Sequence, residues 1–422
     1  MQNQQIVIKR ICLLFAALTL TPLRAAMIVI LPLFVYYYNK VQPLKYVRGI
    51  RILVLLMVVS TIIGLLRGTT DVSHVVLSFW ILLPIFLLLF SEPHNINPVL
   101  IMLLPYMKRM FLYILFAINI IGAYSWMTSP KIDMFGYGYG MNHYETVHGL
   151  AMVDTYFLLY FIIRGFTNGF NRQRVLCISF FIFCIYGCQY GLGLICLFVT
   201  FIVMLIYAKQ VKSLLTLCLI LLIGIYALNT ETFAYERENI EKAQKGEDSR
   251  KVTMFMDFLK VQTENIDIVL FGTGAGGYNS RTANLLSRDT RNVFTDLLGN
   301  KNQPPYYKKY IYPLWNKSFV SQASHTDGTR NKPYSNLVSL WAEFGIVFFI
   351  VFVWLYYKQI KKVLQYRYCH RFESTYLLAL DVFMIVSLIS HLWLETSEFV
   401  LYCLIRWMMM VQIKYTDESS RV

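Results

Sequence analysis

SNLVSLWAEFGIVFFIVFVWLYY, residues 335 to 357, holds one carboxylate and no basic side chain, and Lys358, Lys361 and Lys362 follow at once. A run of that length matches the roughly 20 apolar residues that cross the hydrocarbon core of a bilayer, with cations left at the headgroups. The pattern recurs at 11–23, 25–38, 50–66, 74–90, 110–127, 148–164, 174–188, 191–208, 212–229, 374–391 and 395–413. With 57% hydrophobic and 15% charged residues and a mean hydropathy of +0.50, the chain reads as an all-α integral membrane protein of about twelve transmembrane helices. The net charge of +15 does not imply nucleic acid, because the cations sit in short loops between apolar runs instead of clustering on one solvated face.

Those short loops fix an orientation. Lys40, Lys45 and Arg48, then Lys108 and Arg109, Arg164 to Arg174, Lys209 and Lys212, and Lys358 to Arg371 fall on one side, against Arg24, Arg67 and Lys131 on the other. The positive-inside rule makes the first side, with both termini, cytoplasmic. Residues 11 to 38 are interrupted only by Thr21, Pro22 and Arg24, yet a single helix there would send Lys40, Lys45 and Arg48 outside, so two helices are expected. Lys9, Arg10 and the following apolar run imitate a secretory signal, but further spans follow, so an uncleaved anchor is expected. The eight cysteines lie in or beside apolar runs without zinc-site spacing.

Three regions result: a nine-span bundle over 1–229, a long extracytoplasmic loop over 230–334, and a three-span bundle with a short tail over 335–422. The loop is large enough to form a lid. Within it, 249–263 places Val252, Phe255, Met256 and Leu259 at helical spacing, which predicts an amphipathic helix lying on the bundle, and 231–246 reads as a charged helix.

The Gly-rich run FGTGAGGYNSR, Phe271 to Arg281, lacks a βαβ setting and a phosphate-binding lysine, which excludes a nucleotide loop. Two readings stay open: a turn with close backbone approach, or backbone amides presented to an anion. Arg250, Arg281 and Arg330 belong to the loop, and a guanidinium grips phosphate oxygens through paired hydrogen bonds. His325 is the loop's histidine and a candidate base, with His143 and His148 weaker ones. Tyr278 is a further substrate-binding candidate, while Tyr306, Tyr307, Tyr310, Tyr312 and Trp315 suit packing or an interfacial belt better than sugar stacking. Asp381 and Arg406 are placed for a structural ion pair, and Asp154 and Glu343 are placed nearer the outer side, facing a polar cavity. No Asp-x-Asp and no HExxH occurs, so neither a metal nor another cofactor is expected.

PYSNLVSLWAEFGIVFFIVF, Pro333 to Phe352, resembles the span after the large periplasmic loop of the O-antigen polymerase and O-antigen ligase superfamily, through Leu337, Leu340, Glu343 and Gly345. EDSRKVTMFMDFLK and LFGTGAGGY are similar to that family's Ser-Arg helix and Gly-x-Gly turn, at Arg250, Gly272, Gly274 and Gly276. Where the family carries a histidine before this span, the chain has Tyr334 and Ser335, and where it carries a mid-chain Ser-Arg pair, the chain reads CQYGLG, Cys188 to Gly193. The resemblance implies a GT-C-like, inverting, metal-independent glycosyltransferase of the bacterial inner membrane. It would join undecaprenyl-pyrophosphate-linked repeat units into O-antigen or capsule, beside the chain-length regulator and flippase of such a pathway. Arg250 and His325 would then be catalytic, and Arg281, Arg330, Glu343 and Tyr278 would bind substrate. A ligase transferring glycan to lipid A core and a lipid-linked oligosaccharide flippase are the alternatives.

Overall fold

A computed structural model describes residues 2–140, 144–208, 241, 244–245, 250–287, 293–298, 303–315 and 334–419. The first group of helices is α1 (Gln2–Leu20), α2 (Met27–Val41), α3 (Ile50–Leu66), α4 (Val72–Leu89), α5 (Pro98–Thr128), α6 (Tyr144–Asn168), α7 (Arg172–Gly187) and α8 (Gly191–Ala208). Short helices follow: α9 (Arg250–Glu264), α10 (Ile266–Phe271), α11 (Arg281–Ser287) and α12 (Val293–Leu298). Last come α13 (Asn336–Gln365), α14 (Arg371–Ser390) and α15 (Ser397–Ser419). Among the described residues, five helices are long and apolar enough to cross a membrane: α4, α5, α6 from Thr146, α13 and α14. Shorter apolar helices run from Met27, Ile50 and Gly191. Leu55, Ile120 and Ile350 point away from the core and are exposed, as lipid-facing side chains would be. The run at 212–229 and the charged segment 231–246 lie almost wholly outside the described residues.

Polar residues set the helix starts, each accepting an otherwise orphaned N–H of the first turn: Asp71 from His74 at 3.1 Å, Asn97 from Val99 at 3.1 Å, and Asn171 from Arg174 at 2.9 Å. The first apolar run is divided as expected, by a 3-10 turn over Pro22–Ala26 that Thr21 caps. At the end of the bundle that holds the predicted cytoplasmic loops, β1 (Leu44–Tyr46) pairs antiparallel with β2 (Ser91–Pro93), Lys45 opposite Glu92. Glu92 receives Lys362, and also Lys414 at 3.3 Å, which ties α13 and α15 to that strand pair.

The Asp381–Arg406 pair forms between α14 and α15, with Nε to Oδ1 at 3.1 Å and both side chains buried. Tyr402 donates to the same Oδ1 at 2.6 Å and lies 2.9 Å from the Tyr356 hydroxyl, so the buried charge sits in a hydrogen-bonded group. Asp154 faces no polar cavity. It is fully buried, and Asn119 of α5 donates to it at 2.7 Å.

Helix α13 is broken at Gly345, where φ is 81° and ψ 169°. The break leaves carbonyl groups of the preceding turn without helical donors. The glycine run meets them: Thr273 N–H donates to Ala342 O at 2.8 Å and Gly274 N–H to Glu343 O at 2.9 Å. From α3, Ser60 Oγ donates to Glu343 O at 3.0 Å and also to Phe271 O. Backbone touches backbone throughout this junction. A Cβ on Gly345 would fall on Leu270 O, one on Gly272 on Glu343 O, and one on Gly64 at 2.7 Å from Gly274 Cα. Residues 266–287 of the segment after α8 are packed among α3, α4 and α13, because irregular backbone is tolerated at depth only when protein satisfies it.

Helix α9 lies on this assembly as expected, but of the predicted stripe only Phe255 packs against it, and that partly, while the main buried face is another. Met254, Phe258 and Val261 are covered, Phe258 against Trp341 at 5.2 Å between ring centroids, whereas Val252, Met256 and Leu259 are exposed. The helix carries two apolar faces, and only packing against α13 and the 307–314 segment selects between them. Gly345→Ala is expected to lose about 3 kcal/mol or more in unfolding in detergent, by strain and collision together. Gly169→Ala, also left-handed at φ 80° but facing open space, is expected to lose only about 1 kcal/mol.

Candidate functional site

The turn after Gly272 exposes a row of backbone amides, and two carboxylates take them. Glu343 Oε2 accepts Gly276 N–H at 2.8 Å, and its Oε1 accepts Tyr278 N–H at 3.2 Å and Ser280 N–H at 2.9 Å. Glu395, in the connection between α14 and α15, accepts Arg281 N–H at 3.2 Å and Thr282 N–H at 3.3 Å. Glycine at 272, 274 and 276, with φ of 73°, 87° and 70°, gives the turn the left-handed backbone that brings the alternate N–H groups of residues 276, 278 and 280 onto one carboxylate. Both open readings of the run thus meet in one structure: a close-approach turn whose amides face an anion, the anion being the chain's own Glu343. That carboxylate is 1% exposed and faces the turn, not a polar cavity.

The same turn is fastened to the α3–α4 connection. Thr69 Oγ1 donates to Thr273 O at 2.7 Å and Thr70 Oγ1 to Ala275 O at 2.6 Å. His74 stands between Asp71, at 2.9 Å from Nδ1, and Ser287 Oγ, at 2.8 Å from Nε2. Partial burial pushes the Asp71 carboxyl up, but His74 overrides it and leaves the group below its ordinary value. With His74 fully buried and Ser287 4% exposed, this relay fastens α11 to α4.

Cationic and aromatic groups collect on the same end of the bundle, around the connection His391–Thr396. Lys251 Nζ donates to Ser390 O. Asn336 N–H donates to His391 O at 3.2 Å, and Asn336 Oδ1 accepts Leu394 N–H at 2.8 Å, so the start of α13 holds this connection in place. Five rings run in series: His148 on Tyr190 at 4.1 Å, Tyr190 to Trp393 at 6.2 Å, Trp393 on His391 at 4.6 Å, and His391 to Tyr334 at 4.9 Å. Nearby, Arg24 reaches Glu398 across the α1–α2 turn, and its guanidinium lies 4.1 Å from the Tyr139 ring. Burial, then the neighbouring Glu343 carboxylate, pushes the Glu395 carboxyl up to about 7, against the pull of the Arg281 amide.

The structure brings together three of the six residues expected to form the site. Glu343 holds the turn through Ser280, the residue before Arg281, whose own N–H goes to Glu395, and Tyr278 is fully buried between α9 and the Tyr307 segment, its phenol pushed up by burial and then by Asp257. Arg250 opens α9, one residue before Lys251, and its side chain lies outside the description; His325 and Arg330 lie outside the described residues altogether. Tyr307 and Tyr310 are buried, which is the packing use expected of them. Lys251, His391 and Glu395 escaped sequence reasoning. The signal for the last two was present in SHLWLETSE, Ser390 to Glu398, where polar groups crowd the boundary between two apolar runs. No family model matches the chain, and no curated protein matches it either.

The raised Glu395 carboxyl has a defined pH consequence. A folded value above the ordinary 4.5 favours the protonated form, so its stabilisation is complete below about 4.5 and lost as pH rises through about 7. Unfolding midpoints in detergent should fall between pH 5 and pH 8 by the equivalent of about 3 kcal/mol, at 1.36 kcal/mol per pH unit. In Glu395→Gln that slope should flatten.

Proposed function

We propose that this chain is a polysaccharide polymerase of the bacterial plasma membrane, joining undecaprenyl-pyrophosphate-linked repeat units into O-antigen or capsular polysaccharide on the outer face. In this reading the chain is multi-pass with both termini cytoplasmic, and the end that carries the glycine turn and the ring series faces the periplasm. The basic loops at the opposite end support the orientation. The observation that carries the function is the convergence of Lys251, Arg281, His391 and Glu395 on one connection at the end of the bundle, flanked by Trp393 and Tyr190. Cations there suit a pyrophosphate, flat rings suit sugar faces, and a histidine and a carboxyl near neutrality suit proton removal.

The chemistry is a single displacement. The acceptor hydroxyl oxygen attacks the anomeric carbon of the growing chain, the bond from that carbon to the pyrophosphate oxygen breaks, and undecaprenyl pyrophosphate leaves with the electron pair. The hydroxyl proton passes to Glu395 or His391, and inversion follows from attack opposite the leaving group. Arg281 and Lys251 neutralise charge developing on the pyrophosphate, joined by Arg250, which the resemblance assigns to the same task. Glu343 acts through the turn, holding Arg281 in register. The resemblance gives His325 the role of base and Arg330 a part in pyrophosphate binding.

Cells lacking the protein should show surface glycan capped by single repeat units. Arg281→Ala and His391→Ala should give the same pattern at normal protein levels, with chain elongation reduced about a hundredfold or more. Loss of all glycan from lipid A core would favour the ligase, and unchanged ladders in both variants would defeat the site assignment.

A further inference from the structure

At the end of the bundle away from the glycine turn, α5, α6, α14 and α15 enclose a cavity of about 870 Å³. Its inner walls are apolar, including Leu104, Phe111, Phe157, Phe161, Ile405 and Met408, and its rim carries Lys108, Arg109, Arg164 and Arg371. One carboxylate, Glu373, shares the rim, and it is engaged: Lys108 Nζ donates to Gln412 Oε1 at 2.8 Å and Gln412 Nε2 donates to Glu373 Oε1 at 3.0 Å. Among the described residues, Arg109, Arg164 and Arg371 have no carboxylate within ion-pair distance. Arg164 donates to the Tyr160 hydroxyl and lies 5.8 Å from the Phe372 ring, which holds its guanidinium at the mouth.

Three guanidiniums beside one apolar cavity repel one another unless an anion joins them, and an anion with no apolar part would leave the inner walls unfilled. A phosphate attached to hydrocarbon satisfies both demands: its oxygens accept from the arginine rim while its chain lies against the phenylalanines and methionines. We propose that this cavity is a second lipid site, taking the headgroup of an anionic phospholipid such as phosphatidylglycerol and the first part of its acyl chains. It is separate from the pyrophosphate site at the other end. In the orientation proposed above it opens on the cytoplasmic leaflet, although binding itself does not depend on that orientation or on the polymerase reading.

A free phosphate would meet the same arginines, so the test separates the two sources. The full chain is purified in neutral detergent and titrated with phosphatidylglycerol, phosphatidylcholine or inorganic phosphate, following the unfolding midpoint and lipid retention by native mass spectrometry. Phosphatidylglycerol alone should raise the midpoint by several degrees. Arg109→Gln/Arg371→Gln, which alters exposed rim residues only, should weaken its retention about tenfold with the apo midpoint unchanged. Lys358→Gln/Lys361→Gln, basic residues at the same end that do not line the cavity, should retain it fully. Equal binding of phosphatidylcholine, an equal shift with inorganic phosphate, or equal retention by the rim variant would each overturn the proposal.

Discussion

The buried carboxylate of Glu343 is the point on which the rest of the molecule depends. A charge at that depth is costly unless hydrogen bonds replace its water, and here the replacement is the amides of Gly276, Tyr278 and Ser280. The dependence runs both ways. Irregular backbone among membrane helices needs acceptors for its N–H groups, and Glu343 and Glu395 supply them. The break at Gly345 completes the exchange, because carbonyls freed from α13 receive the amides of Thr273 and Gly274. One glycine-rich turn and one interrupted helix thus satisfy each other.

That junction places the groups around the His391 connection. Arg281 follows directly on the clamped turn, and Lys251 reaches the His391 connection from α9, which is seated by Phe258 on Trp341. The opposite end is organised differently: its basic residues surround a cavity with apolar walls, and the short strand pair of Lys45 and Glu92 binds neighbouring loops together. The two ends thus offer distinct electrostatic environments on the two sides of one bundle.

Much of the helical framework was legible because its cause is local. Apolar length locates α3, α4 and α13, polar caps start α4 and α13, and charge placement correctly divides 11–38 into two helices. The Asp381–Arg406 pair was legible as well, since both charges lie at matching depth on adjacent spans. What the sequence hid is long-range. Glu343 looks like a cavity residue until the partner amides, more than sixty positions upstream, are folded against it. Val252, Phe255, Met256 and Leu259 look like a buried stripe, but only Phe255 packs, and that partly, because α9 has a second apolar face and tertiary packing chose that one. His391 and Glu395 were concealed at the edges of apolar runs, where a hydropathy reading treats polar residues as boundaries.

The most direct measurement is made on the purified chain in proteoliposomes supplied only with undecaprenyl-pyrophosphate-linked repeat units. The account predicts glycans of two or more repeat units, each new linkage of inverted anomeric configuration, with one undecaprenyl pyrophosphate released per bond formed. Movement of intact lipid-linked units between leaflets with no new glycosidic bond would contradict it.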